Sequence, residues 1–114
     1  MKADCLFCRI VARQLPSDIV YEDDTVLAFN DIAPQAPTHV LIIPKMHVAT
    51  VNDVADADAG VFATLTLRAR AIAADRGIAE SGYRLLLNCN AAGGQTVYHL
   101  HLHLLGGRQL KGLG

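Results

Sequence analysis

The stretch His99-Leu100-His101-Leu102-His103-Leu104-Leu105 decides how this chain folds. Histidine and leucine alternate strictly over most of it, and successive side chains of a β-strand point to opposite faces of a sheet. The pattern therefore predicts a strand, over residues 97–105, that packs its leucines on one face. All three imidazoles are predicted to lie on the other face.

The strand spacing limits what the three histidines can do together. Successive imidazoles on one face lie about 7 Å apart, so the outer two are roughly 13–14 Å apart. Zinc takes nitrogen ligands at about 2 Å, and one ion therefore cannot bind all three. Two of them could share a metal, as in a metallohydrolase or a cupin, but no carboxylate follows Glu80 to complete such a site.

Two other interpretations of the histidines stay open at this point. The first is the solvated face of an amphipathic strand whose polar residues are histidines. The second is a nucleophilic imidazole whose neighbours orient it and stabilise developing charge. The turn Gly93-Gly94-Gln95-Thr96 favours the second, because its backbone N–H groups could approach an anion closely. Gln95 and Thr96 add donors, and Asn88 ends the preceding strand, although a Gly-Gly turn alone is more often a simple hairpin connection.

The charge of the chain is unevenly distributed. Its 114 residues carry a net charge of −1, which excludes a generally basic nucleic-acid binder. Residues 1–80 hold all 11 carboxylates against 7 Lys and Arg, whereas residues 81–114 hold Arg84, Arg108 and Lys111 and no carboxylate. A carboxylate-free, histidine-rich end suits an anionic ligand better than a hard cation.

Length and composition narrow the class of protein further. A chain of 114 residues, 52% of them hydrophobic, predicts a single domain over residues 1–114. The longest aliphatic run, residues 40–43, is far shorter than the roughly 20 residues that span a bilayer, so we expect no membrane association. Three cysteines and the lack of a signal-peptide segment favour a cytoplasmic protein over a secreted disulfide scaffold.

Periodicity and turn residues predict the remaining elements. One long helix is expected over residues 54–76, with Asp53 as N-cap and Gly77 as its stop. A short N-terminal helix is expected within residues 5–12. The other predicted strands are residues 19–22, 25–30, 39–44 and 82–89. The predicted fold class is α+β, with a five-stranded, mainly antiparallel sheet, one long helix and a short N-terminal helix.

The run from Gly93 to Arg108 resembles a known family. Its His-Leu-His-Leu-His-Leu-Leu core matches the histidine-triad (HIT) signature, His-φ-His-φ-His-φ-φ with φ apolar. The similarity extends over essentially the whole chain, including residues 24–31, Ala36-Pro37-Thr38-His39 and Ile43-Pro44-Lys45. The trailing Gly106-Gly107-Arg108-Gln109 is more similar to the HINT branch, the nucleoside phosphoramidases, than to the dinucleoside polyphosphate hydrolases.

The resemblance implies a mechanism and a role for three histidines. His101 matches the nucleophile that attacks the α-phosphorus of a nucleoside monophosphate derivative and forms a covalent nucleotidyl-histidine intermediate. His103 matches the position that contacts a phosphate oxygen and assists proton transfer. His39 matches the position that bonds within the triad and orients it.

The resemblance also implies substrate-binding residues. Asp31 matches the carboxylate that accepts the ribose hydroxyls. Thr96 matches a Ser or Thr that contacts the phosphate or the leaving group, and many HINT proteins have Ser there. Gln95, beside Thr96, is also predicted to bind substrate, and Asn88 matches a phosphate or ribose contact. The apolar slot for the base, expected to be a purine, corresponds to Phe7, Ile10, Phe29, Ile32 and Leu41. Taken singly, each of these apolar residues could equally be an ordinary core residue.

The N-terminal Cys5-Leu6-Phe7-Cys8 motif has several interpretations. A lone C-x-x-C is a weak zinc signal, and a redox pair or two buried thiols are the alternatives. Similar bacterial proteins carry a structural, non-catalytic zinc on positions that match Cys5, Cys8, His47 and His99. The third cysteine, Cys89, has no evident partner.

The function implied by the resemblance is hydrolysis of purine nucleoside 5′-phosphoramidates and aminoacyl-adenylates by a zinc-stabilised homodimer. A dinucleoside polyphosphate hydrolase or nucleotidyl transferase that uses the same His101 is one alternative. A nucleotide-binding module with negligible turnover is another. The C-terminal Lys111-Gly112-Leu113-Gly114 lacks the Trp-Pro-Pro ending common in the HINT branch, which puts the leaving-group preference in doubt.

Overall fold

Five antiparallel strands form one sheet, and a helix packs on each of its faces. The computed structural model describes residues 4–112, so the terminal Leu113-Gly114 lies outside it. The sheet has the order β1-β2-β3-β5-β4, and every neighbouring pair is antiparallel. The strands are β1 (Ile19–Glu22), β2 (Val26–Asn30), β3 (Thr38–Pro44), β4 (Tyr83–Leu86) and β5 (Leu102–Gly106). The predicted α+β class is confirmed.

The long helix α2 (Gly60–Asp75) covers one face of the sheet. Its buried residues, Leu65, Ala69, Ile72 and Ala73, meet a layer of strand side chains. That layer consists of Val26, Ala28, Val40, Ile42, Leu100, Leu102 and Leu104. The leucines of the His-Leu segment therefore face the long helix, as their alternation predicted.

The short helix α1 (Leu6–Val11) covers the opposite face. Its buried Phe7, Cys8 and Ile10 pack on the alternate residues of β2 and β3, which are Leu27, Phe29, Leu41 and Ile43. Cys5 is the N-cap of α1, and its sulfur accepts a hydrogen bond from the backbone N–H of Cys8. The three histidines of the alternating segment lie on this face of the sheet.

The predicted start of the long helix is wrong. Asp53 lies in a 3₁₀ turn, Val51–Asp53, and a second such turn, Asp56–Asp58, precedes α2. The Thr50 hydroxyl donates to the Asp53 carboxylate and accepts from the Asn52 backbone N–H. Short polar side chains here bond to nearby backbone and to each other, which stabilises separate turns in place of one continuous helix. The predicted stop is confirmed, since Gly77 has a φ of +72° just after the helix ends.

Two strands are shorter than predicted. Residues 97–101 approach the sheet without regular pairing, and β5 begins only at Leu102. Likewise β4 ends at Leu86, so Asn88 lies beyond the strand. None of the helices within residues 4–112 is long and apolar enough to cross a membrane.

Candidate functional site

The imidazoles of the alternating segment form a row of ring contacts that begins at Phe7 of α1. The Phe7 ring meets His99 and His101 edge to face, with ring centroids 6.0 and 5.2 Å apart. The His101 and His103 rings follow at 4.9 Å. His99 is fully buried and His101 almost so. The prediction that all three lie on one face is confirmed, although two of them precede the regular strand.

A single hydrogen bond fixes the tautomer of His101. Its Nδ1 lies 2.7 Å from the backbone carbonyl oxygen of His99. A carbonyl can only accept, so Nδ1 carries the proton and donates it. Burial lowers the pKa of His101, which keeps the ring neutral near pH 7. The other ring nitrogen, Nε2, is therefore left with a free lone pair, as a nucleophile requires.

A chain of hydrogen bonds fixes the tautomer of His103 in the opposite sense. The Gln35 backbone N–H donates to His39 Nδ1 at 3.1 Å, so the proton of neutral His39 is on Nε2. His39 Nε2 lies 3.0 Å from His103 Nδ1 and donates to it. His103 must then carry its own proton on Nε2. That buried Nε2 has no hydrogen-bond partner among the described residues.

The site thus places an imidazole lone pair beside an imidazole N–H. His101 presents the lone pair of Nε2, and His103 presents the proton of Nε2. Burial lowers the pKa of His103 to about 4, and the neighbouring His101 and His39 act in the same direction. Both rings are therefore neutral near pH 7, and neither needs a proton transfer before it can act.

Asp31 lies at the edge of this chain of histidines. Its Oδ2 is 3.5 Å from His39 Nε2, and its Oδ1 accepts the Ala33 backbone N–H. Burial lowers the pKa of His39, while Asp31 opposes the shift, so the contact joins a neutral imidazole to a carboxylate. Asp31, His39 and His103 are close enough to share a metal, but the lone pair of His39 Nδ1 is already taken by Gln35 and Nε2 holds the proton.

An apolar cavity of about 370 Å³ opens onto these groups. All five residues predicted for the base slot line it, together with Asp31, Thr96, His101 and His103. The aromatic rings of Phe7 and Phe29 meet edge to face at 5.3 Å inside its wall. Ile32 is fully exposed at the rim, where its apolar side chain is open to solvent.

The cavity has wall residues that sequence reasoning missed, namely Leu6, Leu15, Pro16, Ser17, Asn30 and Val97. Most of them come from α1 and the loop that follows it, or from the approach to β5. No local pattern marked them, because only the packing of α1 across the sheet brings them to the cavity. Asn88 lies instead in a neighbouring cavity, and its side-chain amide donates to the Gly93 carbonyl at 2.6 Å.

Gln95 does not line the apolar cavity, although it was predicted to contact substrate. Its side chain is buried, and its Oε1 accepts the Asn90 backbone N–H at 2.8 Å. Its Nε2 donates to the carbonyls of Ala49 and Val97. Both ends of the Gln95 amide are therefore bonded to backbone groups, and these bonds hold the turn that carries Thr96 in place.

A second cluster joins α1 to the histidines. Ligand atoms of Cys5, Cys8, His47 and His99 all lie within 4.8 Å of one another. His99 Nδ1 is 3.3 Å from the Cys5 sulfur and 3.5 Å from the Cys8 sulfur, and His47 Nδ1 is 3.3 Å from the Cys8 sulfur. In a tetrahedral zinc site, sulfur and nitrogen ligands lie about 3.6 Å apart, given bond lengths near 2.3 and 2.0 Å.

The tautomer of His99 fits a metal ligand. Its Nε2 lies 2.7 Å from the Pro44 carbonyl oxygen and must donate to it, which leaves a lone pair on Nδ1 facing both sulfurs. Burial raises the pKa of the Cys5 thiol, and a bound cation would offset the cost of forming the thiolate there. The fold therefore brings together the four residues named from the sequence, and their ligand atoms are close enough to hold a metal.

Comparison with known proteins agrees with this geometry. The model of the HIT domain family matches residues 12–110. The chain belongs to the HIT family. A purine nucleoside phosphoramidase of Escherichia coli K12 is 54% identical to it over 96% of this chain and 92% of that protein.

Solved HIT structures share the fold. A HIT family hydrolase from Legionella pneumophila superposes with a TM-score of 0.93 at 56% identity, covering 95% of this chain and 96% of that one. A zinc-bound histidine triad protein from Mycobacterium smegmatis gives a TM-score of 0.80 at 33% identity, covering 92% of this chain and 76% of that one. The fold is therefore that of HIT proteins.

The hydrogen-bond chain predicts how His103 titrates. In an NMR pH titration, we expect His103 to titrate near pH 4, far below the ordinary 6.5, because protonation would charge a buried ring beside two other imidazoles. A His103→Gln variant assigns the resonance. Because the unfolded chain takes up this proton first, the same shift lowers the free energy of unfolding as the pH falls from 6.5 towards 4. A midpoint at or above 6.5 would contradict the assignment.

Proposed function

We propose that this HIT protein hydrolyses purine nucleoside 5′-monophosphate derivatives, namely adenosine 5′-phosphoramidates and aminoacyl-adenylates. The observation that carries the proposal is the opposed pair of tautomers: the free lone pair of His101 Nε2 lies beside the N–H of His103 Nε2, at the wall of an apolar cavity. The 54% identical relative from Escherichia coli, named a purine nucleoside phosphoramidase, supports the same substrate class.

The first proposed step forms a covalent intermediate. The lone pair of His101 Nε2 attacks the α-phosphorus, a nitrogen–phosphorus bond forms, and the bond from phosphorus to the leaving amine or oxygen breaks. The leaving atom keeps the bonding electron pair and takes up a proton from solvent water. His103 Nε2–H donates to a phosphate oxygen or to the leaving atom, which stabilises the negative charge that builds up there.

The second proposed step releases the product. Water attacks phosphorus, the bond to His101 Nε2 breaks, and the imidazole recovers its lone pair while the attacking water gives a proton back to the solvent. The His101 Nδ1–H bond to the His99 carbonyl holds the ring in one orientation throughout both steps. Splitting the displacement in two lets a good nucleophile do the first step and leaves an activated bond for water.

The nucleoside is proposed to lie in the apolar cavity. Phe7, Phe29 and Leu41 offer apolar contacts to the base, and Ile10 and Ile32 extend the wall. The Asp31 carboxylate suits two adjacent ribose hydroxyls, because it can accept from both. Thr96 is proposed to contact the phosphate or the leaving group, and Asn88 the phosphate or the ribose. Gln95 is proposed to act through the turn that carries Thr96.

The central prediction concerns His101. A His101→Ala variant should lose about a thousandfold or more in kcat/KM for a fluorogenic adenosine phosphoramidate, because no other imidazole within residues 4–112 presents a free lone pair to the cavity in the assigned tautomers. Tyr98→Ala, at an exposed neighbouring position, is the matched control and should keep wild-type turnover. Circular dichroism of both variants checks that they fold.

Other outcomes of the same assay separate the alternatives. A wild-type protein that hydrolyses diadenosine polyphosphates but no phosphoramidate would move the assignment to the other branch of the family. A wild-type protein that binds AMP and hydrolyses neither would overturn the enzymatic proposal altogether.

We also propose that Cys5, Cys8, His47 and His99 bind a structural zinc ion. Zinc would supply a cross-link between the start of α1 and the segment before β5, close to the site but without a part in the chemistry. The sulfur–nitrogen distances of 3.3, 3.3 and 3.5 Å are close to the ligand–ligand distance of a tetrahedral zinc site, about 3.6 Å, and support this. The zinc-bound relative from Mycobacterium smegmatis supports it as well. Thiol ligands need a reducing compartment, which supports the proposed cytoplasmic location.

Metal analysis tests the zinc proposal. Protein purified without a histidine tag should contain about one zinc per chain, and the Cys5→Ala/Cys8→Ala double variant close to none. Cys89→Ala is the matched control, since Cys89 lies outside the cluster, and it should keep its zinc. A chelator should lower the melting temperature before it lowers turnover. An unchanged zinc content in the double variant would refute the site.

The proposed assembly is a homodimer formed through β4 and α2. Strand β4 is an edge strand of the sheet, and its outer side presents unpaired backbone groups that a second copy can bond. Leu67 of α2 is half exposed on the side away from the buried face of that helix. Pairing two copies at β4 would continue the sheet and cover this leucine.

Sedimentation equilibrium tests the dimer. The wild-type protein should have the mass of two chains, and Leu67→Asp should shift it towards one, because an aspartate cannot be buried there without a partner. Ile32→Asp changes a fully exposed apolar residue that belongs to neither β4 nor α2, and should leave the mass unchanged. A wild-type mass of one chain at micromolar concentration would rule the dimer out.

A further inference from the structure

The Gly-Gly-Arg segment at the end of β5, residues 106–108, packs against the loop that joins β2 to β3. Its first residue pairs with Thr38 at the start of β3. The next residue, Gly107, has a φ of +96°, and a Cβ there would lie 2.9 Å from the Cβ of Pro37. Any side chain would be strained by this backbone angle and would clash with the proline ring. The glycine therefore lets the two backbones pack closely, which brings Arg108 to the loop.

Arg108 bonds to the loop residue that controls the histidine chain. Its Nη2 donates to the Gln35 carbonyl oxygen at 2.7 Å. The backbone N–H of the same Gln35 donates to His39 Nδ1 at 3.1 Å. Residues 34–37 begin and end with proline, which has no backbone N–H, so this stretch has few donors to offer. Arg108 thus holds the residue that supplies the donor to His39.

The bond from Gln35 decides the direction of the imidazole chain. With Nδ1 of His39 accepting, His39 donates from Nε2, and His103 keeps its proton on Nε2. If Nδ1 of His39 carried the proton instead, its Nε2 would accept from His103 Nδ1, and His103 Nε2 would hold a lone pair. The N–H that His103 offers to the substrate would then be lost.

Asp31 favours the same direction of the chain. Its carboxylate lies 3.5 Å from His39 Nε2 and attracts a proton there. Loss of the Gln35 bond would therefore shift the population of the two arrangements in part, without reversing the chain in every molecule.

We propose that Arg108 is a positioning residue for the reaction, because by holding Gln35 it keeps the proton of His103 on Nε2. The inference rests on the proposed function and adds to it a residue that acts without touching the nucleotide. Arg108 is not among the described residues that line the apolar cavity. Its bond to Gln35 forms within one chain, so the inference requires no open surface at this edge of the sheet.

Kinetics of Arg108 variants test the proposal. For a fluorogenic adenosine phosphoramidate, Arg108→Ala should lower kcat roughly fivefold, the effect of losing one hydrogen bond, and should leave KM at the wild-type value. Arg108→Lys should recover most of the loss, because its ammonium group can donate to the Gln35 carbonyl. Gln109→Ala is the matched control. Its side chain donates to the Leu110 carbonyl instead, so turnover should be unchanged.

A spectroscopic measurement separates positioning from a purely structural role. In isotope-labelled protein, long-range proton–nitrogen NMR spectra distinguish an imidazole nitrogen that carries a proton from one that carries a lone pair. Wild-type protein should show a protonated Nε2 at His103, assigned with the His103→Gln variant. In Arg108→Ala this nitrogen should move towards the chemical shift of an unprotonated one, and Arg108→Lys should move it back. Gln109→Ala should give the wild-type spectrum.

Three results would overturn the inference. An unchanged His103 Nε2 shift in Arg108→Ala would show that the arginine does not set the tautomer. The same unchanged shift together with a raised KM would make Arg108 a substrate contact instead. A changed shift with wild-type kcat would show that the tautomer does not limit the reaction. The NMR comparison needs no substrate, so a wild-type protein that hydrolyses no phosphoramidate would refute the proposed function and leave the assignment of the tautomer to the spectra.

Discussion

The alternation of side chains along residues 99–105 is the constraint on which the rest of the structure depends. Leu100, Leu102 and Leu104 are all nearly or fully buried against α2. Their burial determines which side chains of this segment lie on the α2 face of the sheet and which on the opposite face. A shift of one residue would place imidazoles in that apolar core and leucines in the site, and burying unpaired imidazoles would cost several kcal/mol. The core thus determines the positions of the histidines.

With the histidines placed, three backbone groups and one bond between imidazoles determine what each can do. The carbonyls of His99 and Pro44 accept from His101 and His99, and the Gln35 N–H donates to His39, which in turn donates to His103. Neutral imidazole has one donor and one acceptor nitrogen. A hydrogen bond at one ring nitrogen therefore determines whether the other nitrogen carries a proton or a lone pair. The same residue type therefore supplies a lone pair towards the cysteines, a nucleophile at His101 and a donor at His103.

Much of this arrangement could be predicted from the sequence, because period-two alternation and turn residues are local signals. The start of α2 could not be predicted in this way. Asp53 has the sequence pattern of an N-cap, but the Thr50 hydroxyl donates to its carboxylate in a separate turn. Gln95 was assigned to the substrate because it neighbours Thr96, and only the fold shows its amide bonded to backbone groups of three residues. Residues such as Ser17 join the cavity wall through the packing of α1 on the sheet, a tertiary contact without a sequence pattern. The lack of carboxylates after Glu80 was visible in the sequence, but the convergence of Arg84, Arg108 and Lys111 beside His103 was not.

The account depends on His101 Nε2 as the attacking atom, and mass spectrometry of the intermediate tests this most directly. Wild-type protein mixed with an excess of adenosine phosphoramidate and quenched in base, where a histidine nitrogen–phosphorus bond survives, should carry an AMP group on the peptide containing His101. Fragmentation should place the group on His101, and His101→Ala should show none. An adduct on His103, or turnover by wild-type protein with no adduct at any time after mixing, would contradict the assigned tautomers and the mechanism built on them.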